Sequence, residues 1–350
     1  MEKEIDIIIP AYKARDTLFR ALASIAIQDV ADLVLVTIVN DACPDGSYQD
    51  IIDKFAGQID IQEIVLEDNV GPGDARQVGL DNTTKPYVVF MDADDQFSNI
   101  GGLLSLKEEL DMYPSSIMAL GRIAHEINPC QWIEIGANNS TWVFGKMFRR
   151  SAIDKYGARF KPGSRACEDI GFTTILTLAA TYDHNMRRIT DQFAYLWCYN
   201  KFSLTRSQNH AFQYEQGGIG WAENITYAYK HMAESEFYME ESMLYSYIGN
   251  WCVTAYIIYN NIYSNRPDCL SKTWDSFKLL YNTCVLPHIN DIPDHLWKHA
   301  YSNTIGQSCI DGIIALEGTT LHMGFAQFMN ALHQGVDFLD LDKYYNPNES

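Results

Sequence analysis

The sequence lacks any long apolar run and any recognisable export signal. None of its stretches approaches the roughly 18 uninterrupted apolar residues that a membrane-spanning helix needs. Met1 is followed by acidic and mixed residues, whereas a secretory signal begins with a basic stretch and an apolar core. We therefore expect a cytoplasmic protein without a transmembrane segment.

Closely spaced cysteines are also absent. The eight cysteines are scattered along the chain, and no two of them form a Cys-X-X-Cys pair. Zinc sites and the disulfide frameworks of small secreted domains depend on such spacing, so neither is predicted. Most of these cysteines lie in apolar runs, which favours buried free thiols.

Basic side chains are scarce. The chain has 26 Lys and Arg against 45 Asp and Glu, a formal net charge of −19. Residues 210–350 alone contain 16 acidic and 6 basic side chains. A surface this acidic repels nucleic-acid phosphates and anionic lipid, so both are disfavoured as partners.

The fraction of apolar residues is high enough for a sizeable hydrophobic core. Of its 350 residues, 47% are apolar and 13% aromatic, as expected for one large or two ordinary globular domains. Four β-branched runs, at residues 5–9, 33–39, 59–66 and 87–91, alternate with helical patterns. This alternation predicts an α/β fold with a mostly parallel sheet and right-handed crossovers.

Beyond residue 100 the pattern changes twice. Residues 116–123, 132–135 and 141–148 are candidate strands, and residues 168–180 form a candidate helix. From residue 211 apolar side chains recur three or four positions apart, which predicts a separate, mostly helical module over residues 211–350. Its aromatic stripes favour a helical core with a surface for self-association, so we expect a homo-oligomer.

Short segments that contain polar side chains follow three of the four predicted strands. They are Pro10–Tyr12 after the first strand, Asn40-Asp41 after the second and Asp92–Asp95 after the fourth. In a parallel sheet the ligand binds beyond the carboxyl ends of the strands, so these groups should face one crevice. The cluster of carboxylates at residues 92–95 can hold a hard divalent cation against a substrate phosphate.

Five motifs in this order resemble those of glycosyltransferase family 2, the inverting nucleotide-sugar enzymes of GT-A fold. The motifs are Ile7-Ile-Ile-Pro-Ala-Tyr, Val39-Asn-Asp-Ala-Cys-Pro-Asp-Gly-Ser, Asn69-Val-Gly-Pro-Gly-Asp-Ala-Arg-Gln-Val-Gly-Leu, Phe90-Met-Asp-Ala-Asp-Asp and Cys167-Glu-Asp-Ile-Gly-Phe. The resemblance implies a Rossmann-like GT-A catalytic domain over residues 1–210, with a donor half over about 1–100 and an acceptor half over about 101–210. The helical module at 211–350 lies outside it.

The resemblance also implies a set of residues that bind the sugar-nucleotide donor. Tyr12 would offer its ring to the base, Asp41 would accept an imide N–H such as that of uracil, and Arg76 would meet a ribose or phosphate oxygen. The implied donor-binding residues are Pro10, Ala11, Tyr12, Asp41, Gly71, Asp74, Arg76, Asp92, Ala93, Arg206 and Ser207.

A metal site is implied at the same place. Asp94 would be the principal ligand of Mn²⁺ or Mg²⁺, with Asp92 or Asp95 assisting and His210 as a third ligand. Such a cation neutralises the charge that develops on a departing nucleoside diphosphate.

The Glu168-Asp169 pair is the implied catalytic centre. By resemblance Asp169 is the general base that takes the proton of the acceptor hydroxyl, and Glu168 helps to place it or binds a sugar hydroxyl. The pair also fits the first turn of an ordinary helix, where the helix dipole stabilises acidic side chains. Both interpretations can hold together.

The leading hypothesis is therefore transfer of one sugar from a UDP-sugar to a hydroxyl of a carbohydrate, wall polymer or protein. The Gln-X-X-Arg-Trp motif of the processive members is absent, as are their membrane helices. A nucleotidyltransferase of related fold is one alternative, although the Gly-rich basic signature expected near the first strand is missing. A catalytically inactive sugar-nucleotide-binding protein is another, against which the intact Asp92, Asp94, Asp169 and Arg76 argue.

Overall fold

A computed structural model describes residues 2–136, 141–182, 187–201, 203, 210–235, 239–298 and 322–341. The chain divides into two compact units, residues 1–201 and residues 202–350. None of the helices among the described residues is both long and apolar enough to cross a membrane.

Within the described residues, the first unit is built on a nine-stranded mixed sheet. Its strands are β1 (Ile5–Ala11), β2 (Val34–Asn40), β3 (Asp60–Val65), β4 (Tyr87–Phe90), β5 (Gln96–Phe97), β6 (Met118–Asn128), β7 (Gln131–Ile135), β8 (Lys146–Arg149) and β9 (Arg188–Trp197). The strand order is β3-β2-β1-β4-β8-β6-β9-β5, and β7 pairs with β6.

The parallel half of the sheet comprises the four strands predicted from the sequence. β1 pairs in parallel with both β2 and β4, and β2 pairs in parallel with β3. β1 is longer than expected because it continues through Pro10 to Ala11. Pro10 lies beyond Ile8, the last residue that β4 pairs with, so its missing N–H breaks no bond to that strand. The carboxyl ends of β1, β2 and β4 therefore meet at one edge.

Six α-helices accompany this sheet in the described residues. They are α1 (Arg15–Ala26), α2 (Gln49–Ile52), α3 (Pro72–Asp81), α4 (Gly102–Met112), α5 (Arg150–Tyr156) and α6 (Glu168–Tyr182). The helix α3 begins directly after Gly71, whose φ of +92° is readily adopted only by glycine. Pro72 is the first residue of the helix, where a backbone N–H would have no partner within the helix. The sequence patterns did not predict α4 or α5.

The other half of the sheet is mostly antiparallel. β8 pairs antiparallel with β4 and β6, whereas β9 runs parallel to β6. The strand predicted over residues 141–148 is wrong in its first part, because only Lys146–Arg149 is a strand. Gly145, with a φ of +67°, turns the chain out of the extended conformation just before β8.

The second unit is helical, as predicted. Its longest described helices are α7 (His210–Glu234), α8 (Glu241–Asn265) and α9 (Leu270–Leu280), and a helix at Phe325–His333 is labelled α10. Trp274 of α9 is fully buried and lies in ring contact with Tyr259 of α8 and Phe328 of α10. The aromatic stripes thus form a core.

Candidate functional site

Asp41, directly after β2, is buried and organises the loop that leads into α3. Its carboxylate accepts the backbone N–H of Val70 at 2.7 Å, that of Gly71 at 2.9 Å and the side-chain amide of Asn69 at 2.9 Å. Its own backbone N–H donates to the carbonyl of Ala11 at 3.0 Å. Asp41 therefore ties the ends of β1 and β2 to the start of α3, and its contact with a base stays a prediction.

Two other predicted donor-binding residues lie at this edge. Tyr12 follows β1 with 46% of its surface exposed, so its ring is accessible to a planar ligand. Asp74, on the first turn of α3, accepts the backbone N–H of Gly163 at 3.0 Å. Asp74 thus joins α3 to the segment that precedes α6.

Arg76 of α3 is the buried link between the two acidic motifs. Its Nη2 donates to Asp92 Oδ1 at 2.5 Å and its Nη1 to Glu168 Oε1 at 2.6 Å. Its Nε is buried and has no partner among the described residues. The resemblance implies that Arg76 meets a ribose or phosphate oxygen, whereas both Nη atoms here bind carboxylates. A contact of Arg76 with the donor remains a prediction.

Residues at the end of β9 and just after it hydrogen-bond to the turn after β4. Asp95 is 1% exposed and accepts the Tyr195 hydroxyl at 2.8 Å and the Cys198 backbone N–H at 2.8 Å. The same hydroxyl accepts the backbone N–H of Asp92 at 3.0 Å. Burial, together with the neighbouring charges of Asp94 and Asp92, raises the pKa of Asp95 well above its ordinary value. Asp95 therefore shapes the turn.

Asp94 is held by two contacts from outside the motif. The side-chain amide of Asn200 donates to Asp94 Oδ2 at 2.8 Å, and Arg20 of α1 donates to the Asp94 carbonyl at 2.8 Å. Burial and the charge of Asp92 raise the pKa of the Asp94 carboxyl. A cation beside this carboxylate would offset the same charge.

The donor set suits the predicted cation. Asp92 and Asp94 each have a second carboxylate oxygen besides the one bonded to Arg76 or Asn200. Carboxylate oxygens are the ligands that Mg²⁺ prefers, and Mg²⁺ commonly uses one or two of them with water and substrate phosphates. His210 begins α7, but its side chain lies outside the described atoms. Among the described residues no three His, Cys, Asp or Glu side chains form a closed metal site.

Asp169 lies on the first turn of α6, a helix whose other positions are largely buried. Ile170, Phe172, Ile175 and Leu176 pack inside, so the helix is a rigid support for its acidic start. Burial and the adjacent charge of Glu168 raise the pKa of Asp169 to about 7, although Arg76 and Lys146 oppose this. A carboxylate that titrates near neutral pH suits a general base.

The structure thus brings Asp92, Arg76 and Glu168 together, with Asp169 next to Glu168 at the start of α6. Arg206 and Ser207 lie outside the described residues.

Two residues that hold the Asp92–Asp95 turn were not predicted from the sequence. Tyr195 and Asn200 lie about a hundred positions from the motif they hold.

A further residue, Lys146, was assigned no role. It lies in the segment Trp142-Val-Phe-Gly-Lys-Met-Phe. A single lysine among apolar residues is the sequence pattern that could have pointed to it.

Comparison with known proteins adds independent findings. Residues 6–167 match the model described as glycosyl transferase family 2. Poly(ribitol-phosphate) beta-N-acetylglucosaminyltransferase TarP of Staphylococcus aureus (strain N315) is 23% identical over 313 residues, 83% of this chain and 90% of that protein. The uncharacterized glycosyltransferase YibD of Escherichia coli (strain K12) is 24% identical over 267 residues, 68% of this chain and 76% of that protein.

Solved structures show the same fold. S. aureus TarS 1–349 superimposes with a TM-score of 0.61 at 16% identity, over 96% of this chain and 93% of that one. Its complex with UDP-GlcNAc gives a TM-score of 0.58 at 17% identity, over 95% and 92% of the two chains. This likeness confirms the predicted α/β fold with a helical C-terminal part.

Proposed function

This glycosyltransferase carries its family 2 domain over residues 6–167, and we propose that it moves a single sugar from a UDP-sugar to an acceptor hydroxyl with inversion. In this proposal Asp94 and Asp92 hold Mn²⁺ or Mg²⁺, and Asp169 is the general base. The acceptor hydroxyl belongs to a carbohydrate, a wall polymer or a protein.

The observation that carries the proposal is the bridge formed by Arg76. One guanidinium contacts Asp92 at 2.5 Å and Glu168 at 2.6 Å, so the carboxylates for the donor phosphates and for the acceptor lie within the span of one side chain. Direct displacement needs this adjacency, because the base must reach an acceptor hydroxyl that is already against the sugar carbon.

The chain's own residues then divide the reaction between them. Asp169 accepts the hydroxyl proton as the acceptor oxygen forms its bond to the anomeric carbon. The bond from that carbon to the diphosphate oxygen breaks, and UDP leaves with the electron pair. A bound divalent cation supplies charge neutralisation for the leaving diphosphate. Attack from the face opposite the diphosphate inverts the anomeric configuration.

The donor is proposed on two grounds. Tyr12 and Asp41 lie at the carboxyl ends of adjacent parallel strands, where an aromatic face and an acceptor of an imide N–H suit uracil. The relative TarP is named for transfer of N-acetylglucosamine, and TarS was solved with UDP-GlcNAc. UDP-GlcNAc is therefore the first donor to test.

One assay separates this proposal from its alternatives. The purified chain is incubated with UDP-GlcNAc or other UDP-sugars and Mn²⁺, with and without a chelator, and the released nucleotide is identified. We expect metal-dependent release of UDP and, with a suitable acceptor, a β-linked product from a UDP-α-sugar. In a parallel incubation with a nucleoside triphosphate and a sugar phosphate, release of pyrophosphate would instead indicate a nucleotidyltransferase. Binding of UDP-sugars without turnover would indicate an inactive binding protein.

A further inference from the structure

Lys146, the first residue of β8, is a buried cation that the proposed reaction does not use. It is 1% exposed, and its Nζ donates to the backbone carbonyl of Trp142. An ammonium group has three N–H donors, and this is the hydrogen bond that Lys146 makes among the described residues. A buried charge with so little hydrogen bonding is costly unless an opposite charge faces it.

The opposite charge is Asp169. Thr173 lies four positions after Asp169 on α6, and its hydroxyl donates to the carbonyl of Thr141 at 2.8 Å. Residues four apart lie on the same face of a helix, so Asp169 faces the segment 141–146. The next carbonyl of that segment, that of Trp142, is the one to which Lys146 donates. Lys146 and α6 therefore both contact residues 141–142, and the charge of Asp169 acts on the Lys146 amino group.

We propose that Lys146 is a positioning residue for the general base: its amino group faces Asp169 and holds that carboxylate in the ionised form that accepts the acceptor proton. The inference rests on the proposed role of Asp169 and extends it to a partner that no motif marks.

The electrostatics of both groups support this arrangement. Burial lowers the pKa of Lys146 to about 7; the charge of Asp169 acts against that shift, and the charge of Arg187 adds to it. The charged groups that act on Asp169 are Glu168, Arg76, Asp92 and Lys146. The two groups titrate over the same range, so the charge on either one changes the proton affinity of the other. Removing the Lys146 charge should raise the pKa of Asp169.

The first test compares Lys146→Met with the native chain. Methionine keeps an unbranched apolar stem and removes the charge, and Lys54→Met removes a charge from an exposed position as a matched control. We expect the acidic limb of kcat against pH to move upward in Lys146→Met by about one pH unit, which is about a tenfold lower rate on that limb. UDP affinity should be unchanged. An acidic limb at its native position in a folded Lys146→Met chain would overturn the proposal.

The second test asks whether Lys146 acts through Asp169. Lys146→Met is added to Asp169→Asn, and its effect on the rate is compared with its effect in the native chain. We expect little further loss in the double variant, because the group that Lys146 acts on is already gone. An equal loss in both backgrounds would show a merely structural role and overturn the proposal.

The third test leaves Lys146 in place, so it stands even if its substitution prevents folding. The lysine side chains of the native chain and of Asp169→Asn are labelled with ¹³C at Cε, and their chemical shifts are followed against pH. Lys146 is recognised by a midpoint far below the value of about 10.4 for ordinary lysines. That midpoint should fall in Asp169→Asn, and identical midpoints would overturn the proposal. A near-native rate in Asp169→Asn would instead contradict the proposed base, whatever the lysine titration shows.

Discussion

Gly73 on the first turn of α3 and Glu168 on the first turn of α6 are in direct contact. A Cβ added at Gly73 would lie 2.8 Å from the Cβ of Glu168, closer than two non-bonded carbon atoms approach. The missing side chain at residue 73 therefore lets the starts of two helices meet. That contact holds Glu168 where Arg76 can bind both it and Asp92.

Gly73→Ala should disturb the site through this contact alone. We expect Glu168 to shift, with a loss of about 1–3 kcal/mol in the free energy of unfolding, as for other overpacked positions, and a lower transfer rate. Denaturant unfolding and UDP release measure the two effects. Gly136→Ala is the matched control, because a methyl group there meets no atom of the described residues within 4 Å. Native activity and stability in Gly73→Ala would contradict the contact.

Arg76→Met should be strongly destabilising. It leaves Asp92 and Glu168 without their shared cation, and breaking a buried ion pair in this way costs about 3–5 kcal/mol. Arg15→Met breaks an exposed pair with Asp50 and should be far less destabilising, because solvent screens the two exposed charges. Urea unfolding of both variants checks the difference. Equal losses would mean that the bridge contributes no more than a surface pair.

Asp94→Ala should abolish metal-dependent turnover while the fold persists, because its side chain is hydrogen-bonded to Asn200 rather than to the core of the sheet. Asn200→Ala should leave Asp94 free to rotate and raise the Mn²⁺ concentration that gives half-maximal rate. Metal titrations of UDP release test both variants. Undiminished turnover by the native chain in excess chelator would refute the metal role.

Asp41→Ala should affect both nucleotide choice and local order. UDP should bind the native chain with higher affinity than CDP, because N3 of cytosine is an acceptor and cannot donate to Asp41. Loss of such a charged hydrogen bond should cost about 1.5–3 kcal/mol of binding free energy. Calorimetry with both nucleotides measures the preference, which should fall in the variant. Asp41 also holds residues 69–71, so proteolysis of that loop is a parallel measurement. Equal UDP and CDP affinities in the native chain would contradict uracil recognition.

Asp169→Asn should lower the transfer rate by about 10²–10⁴-fold, the usual effect of removing a general base, with UDP affinity nearly unchanged. In the native chain the rate should rise with pH through about 7, because the base acts only when ionised. NMR of the product should show an inverted linkage. A near-native rate in Asp169→Asn would make Glu168 the next candidate.

The raised pKa of Asp169 also predicts how stability depends on pH. The folded chain binds the Asp169 proton more tightly than the unfolded chain does, so this group's contribution to stability is lost as pH rises from about 4 through about 7. The neutral Asp169→Asn side chain removes that dependence. Relative to the native chain, the variant should therefore be more stable at pH 8 than at pH 4. Thermal unfolding at the two pH values checks the sign.

Much of this architecture could be predicted because it depends on local patterns. Four β-branched runs alternating with helices imply parallel strands, and the carboxyl ends of parallel strands share an edge, which places Asp41 and Asp92 near each other. The same patterns missed α4 and α5. They also misassigned residues 141–145, because Gly145 must adopt a φ that periodicity does not report.

The sequence by itself determined which side chains stand at the strand ends and at the start of α6, since those positions follow from short-range periodicity and turn residues. Only the tertiary structure decided what these side chains bind. Arg76 meets Glu168 across 92 positions, and Asp94 meets Asn200 across 106, because the crossovers pack α3 against α6 and bring the end of β9 beside the turn after β4. No local pattern encodes such pairings, since they depend on how separate helices and strands pack together.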